Sequence, residues 1–157
     1  MAPRTILPKL PLTANVTLFG GETVTGEFFV AAASPLHPGS ETLLELLNDN
    51  ARSFVPFQTE DGIMLLNRVT VRSVEFQSPE TMAIFTRPDN DSIYALTIYL
   101  RTELQETAID GFCFTGELRP EGRRPVDLLN APEMFVMVYA HERLQLLNKN
   151  AISHAQV

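Results

Sequence analysis

LLNRVTVRSV, at residues 65–74, returns as LLNKNAISHA at residues 146–155. Each copy opens with Leu-Leu-Asn and a cation, crosses a short polar gap, and resumes as an alternating apolar segment. The same triplet also stands at Leu46-Leu47-Asn48 and Leu128-Leu129-Asn130, so the four triplets form two pairs. Working outward, six blocks recur in one order. The first half reads NVTLFG (15–20), TVTGEFFV (23–30), LLELLN (43–48), SFVPF (53–57), IMLLNR (63–68) and VRSVEF (71–76). The second reads ALTIYL (95–100), AIDGFCFT (108–115), PVDLLN (125–130), MFVMV (134–138), LQLLNK (144–149) and ISHAQV (152–157). Asn15 aligns with Ala95, Val24 with Ile109, Leu46 with Leu128 and Leu65 with Leu146, so the spacing widens after the first block and then narrows again. These length changes fall between blocks, where loops tolerate insertion. A tandem duplication is the reading.

Most blocks have strand length and are rich in β-branched and aromatic residues. In TVTGEFFV, Val24, Gly26, Phe28 and Val30 share one face, and in AIDGFCFT, Ile109, Gly111 and Cys113 share one. A glycine inside a strand at the same place in both copies predicts a bend or a close backbone approach. Pro56, which lacks an N–H, predicts that FVPF lies at an edge or a bulge, while Met137 leaves its counterpart unblunted. LLELLN and PVDLLN read as short helices, with Ser40 as the first N-cap, Pro125 opening the second, and Asn48 and Asn130 near the C-terminal ends. Burial is expected at Leu18, Val24, Leu47, Leu66, Val71, Ile98, Ile109, Leu129, Leu147 and Ile152.

The chain has 157 residues, 45% hydrophobic and 20% charged, which suits a globular protein with a proper core. Its apolar runs are far shorter than the ~20 residues of a membrane helix, so no membrane insertion is expected. The proline-broken start MAPRTILPKLP does not read as a signal peptide. A lone cysteine, Cys113, excludes an internal disulfide and points to the cytoplasm. There are 5 cations against 8 anions before Pro79, and 7 against 11 after it. Phosphate contacts supply most of the affinity for nucleic acid, so this balance argues against a general nucleic-acid binder.

Each half resembles a small SH3-like barrel, and more particularly the Sm-like family. The resemblance is carried by Gly26 and Gly111 in a hydrophobic second strand, and by a fourth strand followed, after a short polar turn, by a final strand. Asn67-Arg68 and Asn148-Lys149 occupy the place of that family's Arg-Gly turn. The implied fold is mainly β: two tandem five-stranded barrels, each with a short helix between its second and third strands. The expected organisation is an arm (1–14), a first barrel (15–76), a linker (77–94) and a second barrel (95–157). The resemblance also implies RNA or nucleotide contact at Asn67, Arg68, Asn148 and Lys149. The competing reading is that each Asn-cation pair makes a solvated turn.

Other chemistry is sparse. Arg119, Arg123 and Arg124 have the RxxxR spacing of PilZ domains and form a candidate anion loop, since arginine forks suit phosphate. The plainer reading is a solvated loop. His37, His141 and His154 lie in distant blocks without ligand spacing, so no metal site is expected. Cys113 reads as a small buried hydrophobe. There is no nucleophile elbow, P-loop or dinucleotide fingerprint, and no catalytic residue or cofactor is assigned. The expected function is a non-enzymatic structural or adaptor protein acting through its strand edges. Phe135, Val136, Met137, Val138 and Ile152 are candidate interface residues. The partner is the chain itself, as a dimer or ring, or another protein. The alternative is an Sm-like RNA or nucleotide binder.

Overall fold

The structure is a computed structural model that describes residues 9–86, 92–101, 105–116 and 124–157. The first half contributes β1 (Lys9–Leu18), β2 (Thr23–Ala31), α1 (Leu43–Asn48), β3 (Phe54–Thr59), β4 (Gly62–Asn67), a 3-10 turn (Arg68–Thr70) and β5 (Val71–Phe76). A connecting helix, α2 (Pro79–Phe85), follows. The second half repeats the order with β6 (Ile93–Arg101), β7 (Glu106–Phe114), α3 (Pro125–Asn130), β8 (Phe135–Ala140), β9 (Arg143–Asn148), a 3-10 turn (Lys149–Ala151) and β10 (Ile152–Gln156).

All ten strands join in one antiparallel sheet, in the order β10-β6-β7-β8-β9-β5-β1-β2-β3-β4. Each half therefore has the same internal order, with its fifth strand beside its first and its fourth at the opposite side. The halves meet where the fifth strand of the first, β5, pairs with the fourth strand of the second, β9. This leaves β4 and β10 as the two outer strands.

The strand ladders correct the sequence alignment at one place. Val16 lies opposite Val24 and Ile98 opposite Ile109. Val16 therefore corresponds to Ile98, not to Leu96, with which the block alignment pairs it. A shift of two keeps every side chain on its own face, which is why the apolar pattern could not detect it. β1 also begins at Lys9, with Lys9 opposite Ala31, so residues 9–14, expected in the arm, are strand.

Gly26 and Gly111 do what a strand glycine predicts. A Cβ on Gly26 would sit 2.2 Å from the Gln58 carbonyl oxygen, and one on Gly111 would sit 2.6 Å from that of Tyr139. Only glycine lets the second strand cross the third so closely. The ladder between them narrows to a single pair in each half, Glu27 with Gln58 and Phe112 with Tyr139.

Pro56 is not on an outer strand. β3 lies between β2 and β4, and Pro56 sits beside the unpaired part of the β2 ladder, where its missing N–H costs no bond. Met137, in β8, is likewise interior to the sheet. The N-cap of α1 is Thr42 rather than Ser40. Its hydroxyl accepts from the Glu45 N–H at 3.2 Å, and Glu45 accepts from the Thr42 N–H at 3.3 Å, a reciprocal capping box.

Two hydrophobic clusters form the interior. One holds Val16, Phe28, Leu43, Leu46, Leu47, Val55, Phe57, Leu66 and Val74, together with Phe135, Leu144 and Leu146 from the second half. The other holds Ile98, Cys113, Val136, Val138 and Leu147. Of the expected core, Leu47, Leu66, Val71, Ile98 and Leu147 are buried, while Leu18, Val24, Ile109, Leu129 and Ile152 are half-buried.

Candidate functional site: the joint and the two outer strands

The cations of the two polar turns that follow the fourth strands bond to main-chain carbonyls of their own halves. Arg68 is buried, and its guanidinium donates to the carbonyl of Leu47 at 2.7 Å and to that of Arg52. Lys149 does the same work in the second half, its Nζ donating to Leu128 at 2.8 Å and Ala131 at 2.9 Å. The last carbonyls of a helix have no partner within it, and a cation at that end satisfies them and complements the helix dipole. Burial lowers the Lys149 pKa, with Glu133 opposing. Asn67 and Asn148 cap the 3-10 turns, accepting from Val69 at 3.4 Å and Asn150 at 2.9 Å.

Arg124 of the arginine run pairs with Asp127, Nε to Oδ2 at 3.0 Å, at the start of α3. Arg119 and Arg123 lie outside the described residues. Cys113 is fully buried in β7, and burial pushes its thiol up to about 11. Among the described residues, no group of three or more His, Cys, Asp or Glu could hold a metal ion. No helix there is long and apolar enough to cross a membrane.

The candidate interface residues Phe135, Val136 and Val138 are buried within the chain, and Met137 and Ile152 are half-buried. Phe135 belongs to the joint between the halves. There, Val74 faces Leu146 and Phe76 faces Leu144, and all four are buried in the cluster of the first half. Leu147, the neighbour of Leu146, points the other way into the second cluster. β9 is thus apolar on two faces, one for each half.

Polar groups close the same joint. Asn48, at the end of α1, brackets the Phe135 backbone: its Oδ1 accepts from the Phe135 N–H at 2.8 Å, and its Nδ2 donates to the Phe135 carbonyl at 3.3 Å. Asn48 has no left-handed backbone; its side chain, not its φ, is what the position requires. Asn148 is fully buried and donates from Nδ2 to the Val71 carbonyl at 2.9 Å. Arg143 donates to Glu75 on the exposed rim.

The outer strand β4 presents the same pattern uncovered. Leu66 turns into its own half and is buried, but Ile63 is 67% exposed and Leu65 64%. Phe54, beside them on β3, is 57% exposed. Their counterparts in the second copy, Leu144, Leu146 and Phe135, are 0%, 0% and 2% exposed. The sequence carried a signal for this surface. IMLLN is apolar at four successive positions, and a strand covered on one face alone would alternate. Reading it required knowing which strand is outermost. No family model, curated protein or solved structure matches the chain.

Proposed function

We propose that the chain is a non-enzymatic structural or adaptor protein that works by associating with protein through its outer strands. We read each half as a small SH3-like barrel of the Sm-like kind. The glycine that lets the second strand approach the third so closely in each half, and the shared five-strand order, support that reading. The observation that carries the function is the row Phe54, Ile63 and Leu65. Three large apolar side chains stand together on one sheet margin, and the repeat-related residues are fully enclosed. An outer strand of this kind, without lysine, proline or any charge along Gly62–Asn67, invites strand addition.

RNA or nucleotide binding gains no support from the two turns, because Arg68 and Lys149 are committed to helix carbonyls. The test is affinity capture of tagged chain from its own cells, beside an Ile63→Lys/Leu65→Lys variant, with retained protein and nucleic acid both measured. Protein retained by the wild type and lost by the variant, with no nucleic acid, is the expected result. Retention of nucleic acid, or of the same proteins by both chains, would overturn the reading.

A further inference from the structure

The two outer strands are complementary halves of a joint that the chain already makes once. Inside the chain, a fourth strand (β9) pairs with a fifth strand (β5). Outside, the fourth strand of the first half (β4) and the fifth strand of the second (β10) each have one side without a strand partner among the described residues. We propose that β4 of one copy pairs antiparallel with β10 of a second copy, in the register of the β5–β9 joint. This rests on the proposed function and names its partner as the chain itself.

The register follows from the repeat. β4 corresponds to β9, with Leu65 at the place of Leu146, and β5 corresponds to β10, with Val74 at the place of Ala155. The internal pairs Val74 with Leu146, Glu75 with Gln145, and Phe76 with Leu144 become Ala155 with Leu65, Gln156 with Met64, and Val157 with Ile63. Val157 is 86% exposed, whereas its counterpart Phe76 is 6% exposed. Val157, Ile63 and Leu65 are therefore exposed where their repeat partners Phe76, Leu144 and Leu146 are buried in the internal joint, and Ala155, half-buried, stands at the place of Val74.

The asparagines follow the same rule, which accounts for all four Leu-Leu-Asn triplets. Two of them act across the internal joint: Asn48 on the Phe135 backbone and Asn148 on the Val71 carbonyl. The other two are their equivalents at the open margins. Asn130 is exposed at the end of α3, and it takes the Phe54 backbone of the next copy, whose side chain stands ready on β3. Asn67 reaches the Ile152 carbonyl of the next copy. α3, which buries none of its residues, covers β3 of the neighbour as α1, with Leu43, Leu46 and Leu47 buried, covers β8.

One feature does not carry over. Arg143 and Glu75 correspond to Gly62 and Gln156, so the joint between copies lacks the rim ion pair. It is more apolar than the internal joint and should be insensitive to salt. Because the contact is head-to-tail, it gives a ring if the rotation closes and an open chain if it does not.

The test is disulfide trapping between copies. Residues directly opposite in an antiparallel pair have Cα atoms about 4.5–5.5 Å apart, within disulfide reach. Leu65→Cys/Ala155→Cys and Met64→Cys/Gln156→Cys place thiols at two adjacent registers, and the buried Cys113 does not interfere. Mild oxidation should give a ladder of multiples on a non-reducing gel that collapses on reduction. Leu65→Cys/Ile152→Cys, which is out of register, should not. Asn130→Ala should weaken association about tenfold, the effect of losing one or two hydrogen bonds. No ladder from either matched variant, or an equal ladder from the mismatched one, overturns the proposal. If the lysine variant still loses a captured protein in that case, the proposed function survives and only the choice of partner falls.

Discussion

Leu146 and Leu65 are the same residue of the repeat in two environments, and alanine substitution should separate them sharply. Leu146 is fully buried in the joint, and Leu65 is 64% exposed. Leu→Ala removes three carbons, which at about 0.8 kcal/mol per buried methylene amounts to roughly 2.4 kcal/mol of lost transfer energy. Leu146 is packed by both halves, so relaxation around the hole is restricted and a cavity term adds to this. The expected cost of Leu146→Ala is about 3–4 kcal/mol. For a chain of this size that is a fall in Tm of roughly 6–16 °C. Leu65→Ala should change stability by less than about 0.5 kcal/mol in dilute solution. Its cost should grow with protein concentration, because only association buries that side chain. Urea unfolding at several concentrations measures both. Equal costs at high dilution, or a Leu146→Ala effect below about 1 kcal/mol, would refute the placement of β9 in the joint.

Arg68→Ala should cost about 1–3 kcal/mol by stranding the carbonyls of Leu47 and Arg52, whereas Arg68→Lys should be milder, as Lys149 already fills that role in the second half; chemical denaturation compares the two. Gly26→Ala and Gly111→Ala should each destabilise by more than about 2 kcal/mol, read by thermal melting, because the added methyl meets a backbone carbonyl that cannot yield. Cys113 should resist a thiol reagent at neutral pH until the chain unfolds, since burial holds it protonated; labelling in and out of denaturant tests this. Burial works against charge on Glu45, but hydrogen bonds from Ser34, His37 and Thr42 win and hold its carboxyl below the usual value of 4.5. Its stabilisation is therefore present above about pH 4.5 and lost as pH falls through the lower folded value. Glu45→Gln should flatten that acid limb of the stability profile.

What the sequence made legible was local or repeated. Gly26 and Gly111 announced the tight crossing because no other residue fits it, and Pro125 marked the start of α3 to the residue. The paired triplets exposed the repeated order of elements that the two halves share. Three things escaped for physical reasons. The slip by two between β1 and β6 preserves the alternation, so hydrophobicity cannot see it. Pro56 pointed to an edge or a bulge without deciding between them, and an open stretch of ladder inside the sheet meets the same requirement. Arg68 and Lys149 looked like solvated or ligand-binding cations because their partners, carbonyls at and just beyond the ends of α1 and α3, are main-chain groups that leave no mark in the sequence. The joint between β5 and β9 was hidden most deeply, since strand order depends on contacts between distant residues. Once it is known, the exposed Phe54, Ile63 and Leu65 acquire a meaning that composition alone does not give them.

The mass of the chain in solution tests the central claim most directly. Light scattering on wild type across the micromolar range should give multiples of 17.5 kDa that rise with concentration and persist in high salt. An Ile63→Lys/Leu65→Lys variant should stay at the single-chain mass while keeping its fold by circular dichroism. A wild type fixed at 17.5 kDa throughout, or a variant that associates as well as wild type, would contradict it.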